Sequence, residues 1–245
     1  MGTKLIRNEM NLSVKKASWI IELLIIILFV IAINLSVVSI GFKNFLSIIS
    51  CQIINFIGAF LLFIVAIHRI ILESIGNQLS LNSYFQNKLS FSNALIILLL
   101  LFLSLCTSAL AMQIKAVEIF NYSIFTNKEY FYLHLAHFQT WIVISAIIIV
   151  VTLTALAEEL YFRCYLFGIQ FIQFGKYTWI INGVSWSIYH IFSPQNFLVL
   201  LPQCLMYSYV YQKNRNIWIT IIAHLISNYV SIYPAIKIYY SFILT

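Results

Sequence analysis

Three polar clusters interrupt a chain that otherwise reads as hydrocarbon. The first is Ala155-Leu156-Ala157-Glu158-Glu159-Leu160-Tyr161-Phe162-Arg163. A charge at the centre of a membrane helix costs roughly 2.5–3.5 kcal/mol on insertion scales, so this cluster needs compensation. Glu159 and Arg163 stand at i and i+4 and can pair on one helix face. Glu158 lies about 100° further round the helix and needs another partner, a water or a proton. The pattern leaves one carboxylate committed to structure and one free for chemistry. The plainer reading is a helix that ends at the membrane interface with Glu-Glu as a polar cap. The second cluster is Trp186-Ser187-Ile188-Tyr189-His190, and the third is His224-Leu225-Ile226-Ser227-Asn228. A lone His in an apolar helix more often packs than reacts. His224 and Asn228 share a helix face, where both can donate to a developing oxyanion or simply bond a neighbouring helix.

The elements that must position these residues follow from composition. Of 245 residues, 62% are hydrophobic and 9% charged, which is far too apolar for a water-exposed surface. The chain reads as all-α, a polytopic transmembrane helix bundle of seven or eight membrane spans. A span needs about 20 apolar residues. Spans are expected at 19–40, 44–67, 91–113, within 138–173, at 177–192, 197–212 and 217–233. Pro234 and Lys237 leave a tail that either crosses as an eighth helix or does not. The stretches 68–90 and 114–134 carry the polar residues and read as loops. The region 138–173 would reach about 54 Å as one helix, so a tilted or bent helix is expected. Ser193-Pro194-Gln195-Asn196 reads as the break that separates two short spans. Residues 1–134 form an N-terminal part of about three spans with loops, and 135–245 the core with the three motifs.

Helical rise gives the clusters a common depth. Glu158 lies about 25 Å before Gly175, His190 about 21 Å after Lys176, and His224 about 15 Å after Asn214. Glu158, His190, His224 and Asn228 can therefore share one layer on three neighbouring helices.

The net charge of +7 is no nucleic-acid footprint, because the basic residues flank apolar runs. With strict alternation, nine Lys and Arg fall on the side of the N-terminus and four on the other, so the N-terminus is expected in the cytoplasm and the protein in the cell membrane. The apolar run after Lys16 is too long for a cleaved signal. Cys51, Cys106, Cys164 and Cys204 form no C-x-x-C pair and imply no disulfide framework. His68, His134 and His137 read as interfacial residues, and Trp19, Trp141, Trp179 and Trp218 as interface anchors.

The sequence E-E-x-x-x-R, aromatic-x-x-x-H and H-x-x-x-N, in this order and spacing, resembles the CPBP family of intramembrane proteases, also called Abi, which includes the CAAX prenyl endopeptidases and bacteriocin-immunity proteins. The resemblance covers about residues 140–235. The family's second motif usually begins with Phe, where this chain has Trp186. The resemblance implies an endopeptidase in which Glu158, helped by His190, activates a water. His224 and Asn228 would stabilise the oxyanion, and Glu159 with Arg163 would hold the helix and orient Glu158. The family is often labelled metalloprotease. His190, His224 and Glu158 could supply a zinc set, though H-E-x-x-H is absent, and zinc or no metal stays open. The expected partners are membrane lipid and a lipidated, bacteriocin-type or membrane-protein peptide substrate, with peptide-processing or immunity roles favoured. A non-catalytic immunity or regulatory scaffold and a proton-coupled transporter are the competing readings.

Overall fold

The computed structural model describes residues 18–32, 45–77, 85–113, 140–190 and 194–243 of the chain. All of the regular structure among them is helical. The elements are α1 (Ser18–Ala32), α2 (Phe45–Asn77), α3 (Phe91–Gln113), α4 (Thr140–Glu159), a π-helical segment (Leu160–Leu166), α5 (Phe167–Phe174), a 3₁₀ turn (Gly175–Tyr177), α6 (Thr178–Tyr189), α7 (Pro194–Asn214) and α8 (Ile217–Ile243).

The packing is one bundle. α6 and α7 form the closest antiparallel pair, α2 lies along α4 and the π segment, and α8 is wedged between α3 and α4. On α1, Trp19, Leu23 and Ile27 recur every fourth residue and are buried, while Ile21, Leu24, Ile25 and Leu28 on the other faces are exposed. α3 carries a similar exposed surface in Leu95, Leu98, Leu99 and Phe102. A helix that is apolar on its outer side as well as its inner one suits hydrocarbon surroundings. The 20-residue stretch Phe91–Leu110, with mean hydropathy 2.4, is the one candidate among the described residues that is long and apolar enough to cross a membrane.

One such stretch among the described residues does not confirm the expected seven or eight spans. α6 has 12 residues and rises about 18 Å, well under a hydrocarbon core of about 30 Å. Ser18–Ala32, Phe56–Leu72 and Ile217–Val230 are further apolar stretches, the last two within helices of 33 and 27 residues. Three boundaries also differ from the sequence reading. α2 continues through Arg69 and Glu73 to Asn77, where a loop was expected from residue 68. Its continuation is held by an ion pair of 2.9 Å between Arg69 Nη2 and Glu22 Oε2 of α1. The Tyr165 hydroxyl donates to the same Glu22 oxygen at 2.9 Å, which ties both helices to the π segment. Pro194 opens α7 rather than lying in a break, as its missing N–H permits at the first helical position. α8 runs on through Pro234 to Ile243, so residues 234–243 extend one helix instead of forming an eighth. Trp19 is 6% exposed and donates to Gln173 Oε1 at 3.1 Å, which makes it a buried brace and not an interface anchor. Trp179 and Trp218 are half-buried. The loop 114–134, His134, His137 and the Trp141 side chain lie outside the described residues. Cys106, Cys164 and Cys204 are free thiols.

The long apolar region does form one continuous helical run from Thr140 to Phe174, and its irregularity is the π segment. There the Phe167 N–H reaches the Phe162 carbonyl, five residues back. A wider turn tips carbonyls off the axis, and Phe162 O also accepts from Asn182 Nδ2 of α6 at 2.9 Å. Asn182 is the hub of this packing. Its second amide hydrogen goes to Gln170 Oε1 at 2.9 Å, and its Oδ1 accepts from Arg163 Nη1 at 2.8 Å and from Ser208 Oγ of α7 at 3.1 Å. Gln170 in turn donates to Ser185 Oγ at 3.2 Å. Asn182, Gln170 and Ser208 are fully buried. Every hydrogen-bonding position of the Asn182 amide is thus used, which is what makes a buried primary amide tolerable.

Two substitutions probe this frame. Asn182→Leu strands the Arg163 and Gln170 polar groups and is expected to destabilise by about 1–3 kcal/mol, seen as a lower unfolding midpoint of the detergent-solubilised protein. At Gly183 an added Cβ would lie 2.8 Å from the Leu205 Cα of α7 and 3.0 Å from the Cys204 carbonyl, whereas at Gly168 nothing lies within 4 Å. Gly183→Ala is therefore expected to lower the melting temperature, and Gly168→Ala to leave it unchanged or raise it slightly. Equal behaviour of the two alanine variants would contradict the close approach of α6 and α7.

Candidate active site

Glu158 and Glu159 end α4 just before the π segment, and both are buried, at 4% and 0% exposure. They face different helices. Glu158 turns towards α6, where its Oε2 accepts the Trp186 indole N–H at 2.8 Å. The same oxygen lies 3.7 Å from His190 Nε2 and 3.9 Å from His224 Nε2. Glu159 turns towards α8, where its Oε1 accepts the His224 Nδ1–H at 3.0 Å. Its other oxygen is 3.6 Å from Arg163 Nε, one helical turn on. The structure thus brings Glu158, His190 and His224 to one point from three helices. Asn228 lies one turn beyond His224 on α8 and is half-buried.

Each imidazole is oriented through its Nδ1. His190 closes α6 in the bridge region (φ −92°, ψ 12°), and its Nδ1 lies 3.0 Å from the Trp186 carbonyl. A carbonyl can only accept, so His190 Nδ1 carries the proton and its Nε2 presents a lone pair in the neutral ring. The His224 Nδ1–H is likewise committed, but to a carboxylate. The two imidazoles differ in what holds Nδ1, a backbone carbonyl for His190 and a carboxylate for His224.

Three groups with lone pairs or a single proton between them cannot simply abut. At 3.7 and 3.9 Å, neither imidazole makes a direct hydrogen bond to Glu158. A proton or a small hydrogen-bonding molecule among the three resolves the electrostatics. A metal fits less well. Two donors on a tetrahedral zinc with bonds of about 2.0–2.1 Å stand about 3.3 Å apart, closer than these groups. The carboxylate oxygen nearest both rings already accepts an N–H. Among the described residues no group of three or more His, Cys, Asp and Glu is arranged to hold a metal ion.

Arg163 is 1% exposed, and its role differs from a simple pair with Glu159. Its short hydrogen bond goes to Asn182, and its guanidinium carbon sits 4.3 Å over the Trp186 ring. Sequence reasoning gave Trp186 only an aromatic's part and passed over Asn182, Gln170 and Ser208. Asn182 was findable: it is an amide two turns before His190, in a stretch with no charged residue from Tyr177 to Gln212. The Trp186 N–H was visible as the departure from the usual Phe, but its partner was not.

Residues 139–230 match the family model of the Rce1-like type II CAAX prenyl endopeptidases. No curated protein and no solved structure matches the chain. The matched segment begins at the start of α4 and ends within α8, and so holds Glu158, Glu159, Arg163, His190, His224 and Asn228 together. Members of this family are integral membrane proteins, and the match supports the resemblance of residues 139–230 to the CPBP/CAAX proteases.

Proposed function

We propose that the chain is an intramembrane endopeptidase that hydrolyses a peptide bond of a membrane-associated or lipidated peptide or protein. The convergence of the buried Glu158 carboxylate with the Nε2 atoms of His190 and His224 supports this reading above all else. A water lying among the three gives one proton to Glu158, with His190 Nε2 accepting its second hydrogen in a hydrogen bond. Its oxygen attacks the scissile carbonyl carbon. Negative charge then moves to the carbonyl oxygen, where the His224 Nε2–H and the Asn228 amide donate. Collapse of the tetrahedral intermediate expels the amine, and Glu158 returns the proton to that nitrogen. Donation from Nε2 takes the His224 ring in its doubly protonated form, and the Glu159 carboxylate on Nδ1 balances that charge. No step passes through a metal.

In this reading residues 1–134 are the scaffold and 135–245 the catalytic core of a multi-pass protein of the cell membrane with a cytoplasmic N-terminus. Lipid is the first partner and the peptide the second. A prenylated C-terminal peptide is the substrate class that the family name points to. A bacteriocin-type peptide, cleaved in an immunity role, suits the same chemistry.

The test is cleavage of a fluorogenic farnesylated peptide by the purified protein in liposomes. Glu158→Gln is expected to lower kcat by about 10²–10⁴, the usual worth of a general base. His224→Ala and Asn228→Ala are each expected to cost about 10²–10³ as lost oxyanion donors. His190→Ala should fall with them; all four variants should insert, with Glu158→Gln melting close to wild type and His224→Ala melting lower because it strands the buried Glu159. Full activity in Glu158→Gln would point to the binding scaffold. Proton flux through the wild-type protein without cleavage would point to the transporter.

A further inference from the structure

Trp186 occupies a position where the related motif has Phe, and its nitrogen is not idle. The indole is 5% exposed and packed on every side. Its ring lies 5.1 Å from His224, 5.8 Å from Tyr207 and 6.1 Å from Phe162, centroid to centroid. Arg163 stacks above it. Its backbone carbonyl accepts the His190 Nδ1–H, so the residue fixes one imidazole through its main chain. Its Nε1–H reaches Glu158 Oε2 through its side chain.

The groups that were expected to orient Glu158 are otherwise engaged. Glu159 is bonded to His224, and the short bond of Arg163 goes to Asn182. The two imidazoles stand too far from Glu158 for a direct hydrogen bond. The direct hydrogen bond that the described residues give this carboxylate comes from Trp186.

We propose that Trp186 is a positioning residue of this active site, whose indole N–H locks the rotamer of Glu158 so that the free face of the carboxylate meets the water. The proposal rests on the reading of Glu158 as the base. It makes the Trp a working difference of this chain, because Phe fills similar space with no hydrogen to give. One residue then sets the geometry of both Glu158 and His190. Two stiff side-chain torsions and contact on every face make an indole well suited to that task.

The experiment separates the N–H from the ring. The full chain is prepared with 3-benzothienylalanine at position 186, in which sulfur replaces the indole N–H and the shape is kept. It is assayed on the farnesylated fluorogenic peptide beside wild type, Trp186→Phe and Glu158→Gln. A hydrogen bond to an ionised group is worth roughly 10- to 100-fold, so kcat is expected to fall at least about tenfold in the benzothienyl protein. KM should stay within about twofold and the melting temperature near wild type, since packing is intact. Trp186→Phe should lose a similar factor in kcat and also melt lower, because it leaves a void. Wild-type kcat in the benzothienyl protein, with Glu158→Gln inactive, overturns the positioning role and leaves the base in place. Wild-type kcat in Glu158→Gln overturns the base itself.

Discussion

Two imidazole nitrogens directed at one buried carboxylate oxygen is the constraint on which this structure turns. The arrangement is unfavourable if nothing lies among the three. The Glu158 carboxylate and His190 Nε2 both offer lone pairs, and apolar surroundings screen the repulsion poorly. Both rings are also held from behind. The His190 Nδ1–H is taken by the Trp186 carbonyl and the His224 Nδ1–H by Glu159. Neither can turn away without breaking a bond in a place where water does not repair it. Held in this way, the three groups suit the proposed reaction, in which a water among them gives up a proton.

Holding it requires the surrounding helices to be unusually polar inside. Arg163, Glu159, Asn182, Gln170 and Ser208 are all buried within a bundle whose outer faces are hydrocarbon. Breaking a buried charge pair by removing one partner typically costs about 3–5 kcal/mol. The cost is contained here because the charges are spread over several partners. Arg163 meets Glu159, Asn182 and the Trp186 ring, and Glu159 meets Arg163 and His224. The π segment contributes the geometry. Its wider turn sends the Phe162 carbonyl to Asn182, which joins the helix carrying the carboxylates to the helix carrying His190.

The sequence made some of this legible and concealed the rest for identifiable reasons. α3 was readable to its ends, since an uncharged run between polar flanks has one interpretation. The meeting of Glu158, His190 and His224 followed from rise per residue along three apolar helices. The share of Glu159 in orienting His224 did not follow, because i,i+4 spacing offered it a nearer partner in Arg163. The extension of α2 to Asn77 was hidden because Arg69 and Glu73 resemble a loop until Glu22 is found opposite. The π segment has no sequence signature in Leu160–Leu166. The count of spans is not confirmed, since among the described residues Phe91–Leu110 is the stretch long and apolar enough to cross, and α6 stops at Tyr189, where His190 leaves the helical conformation. The resemblance of motifs and the match over residues 139–230 agree on the core and are silent on the helices before it.

The central claim is that Glu158 works through a water and does not attack the substrate itself. A single turnover in H₂¹⁸O, with enzyme in excess over a farnesylated peptide, tests it most directly. The account predicts heavy oxygen in the new carboxyl terminus of the first product, and a Glu158-containing peptide of unchanged mass. Unlabelled first product, with the heavy oxygen retained on Glu158, would mean that the carboxylate had formed an anhydride with the substrate. That result would contradict the account.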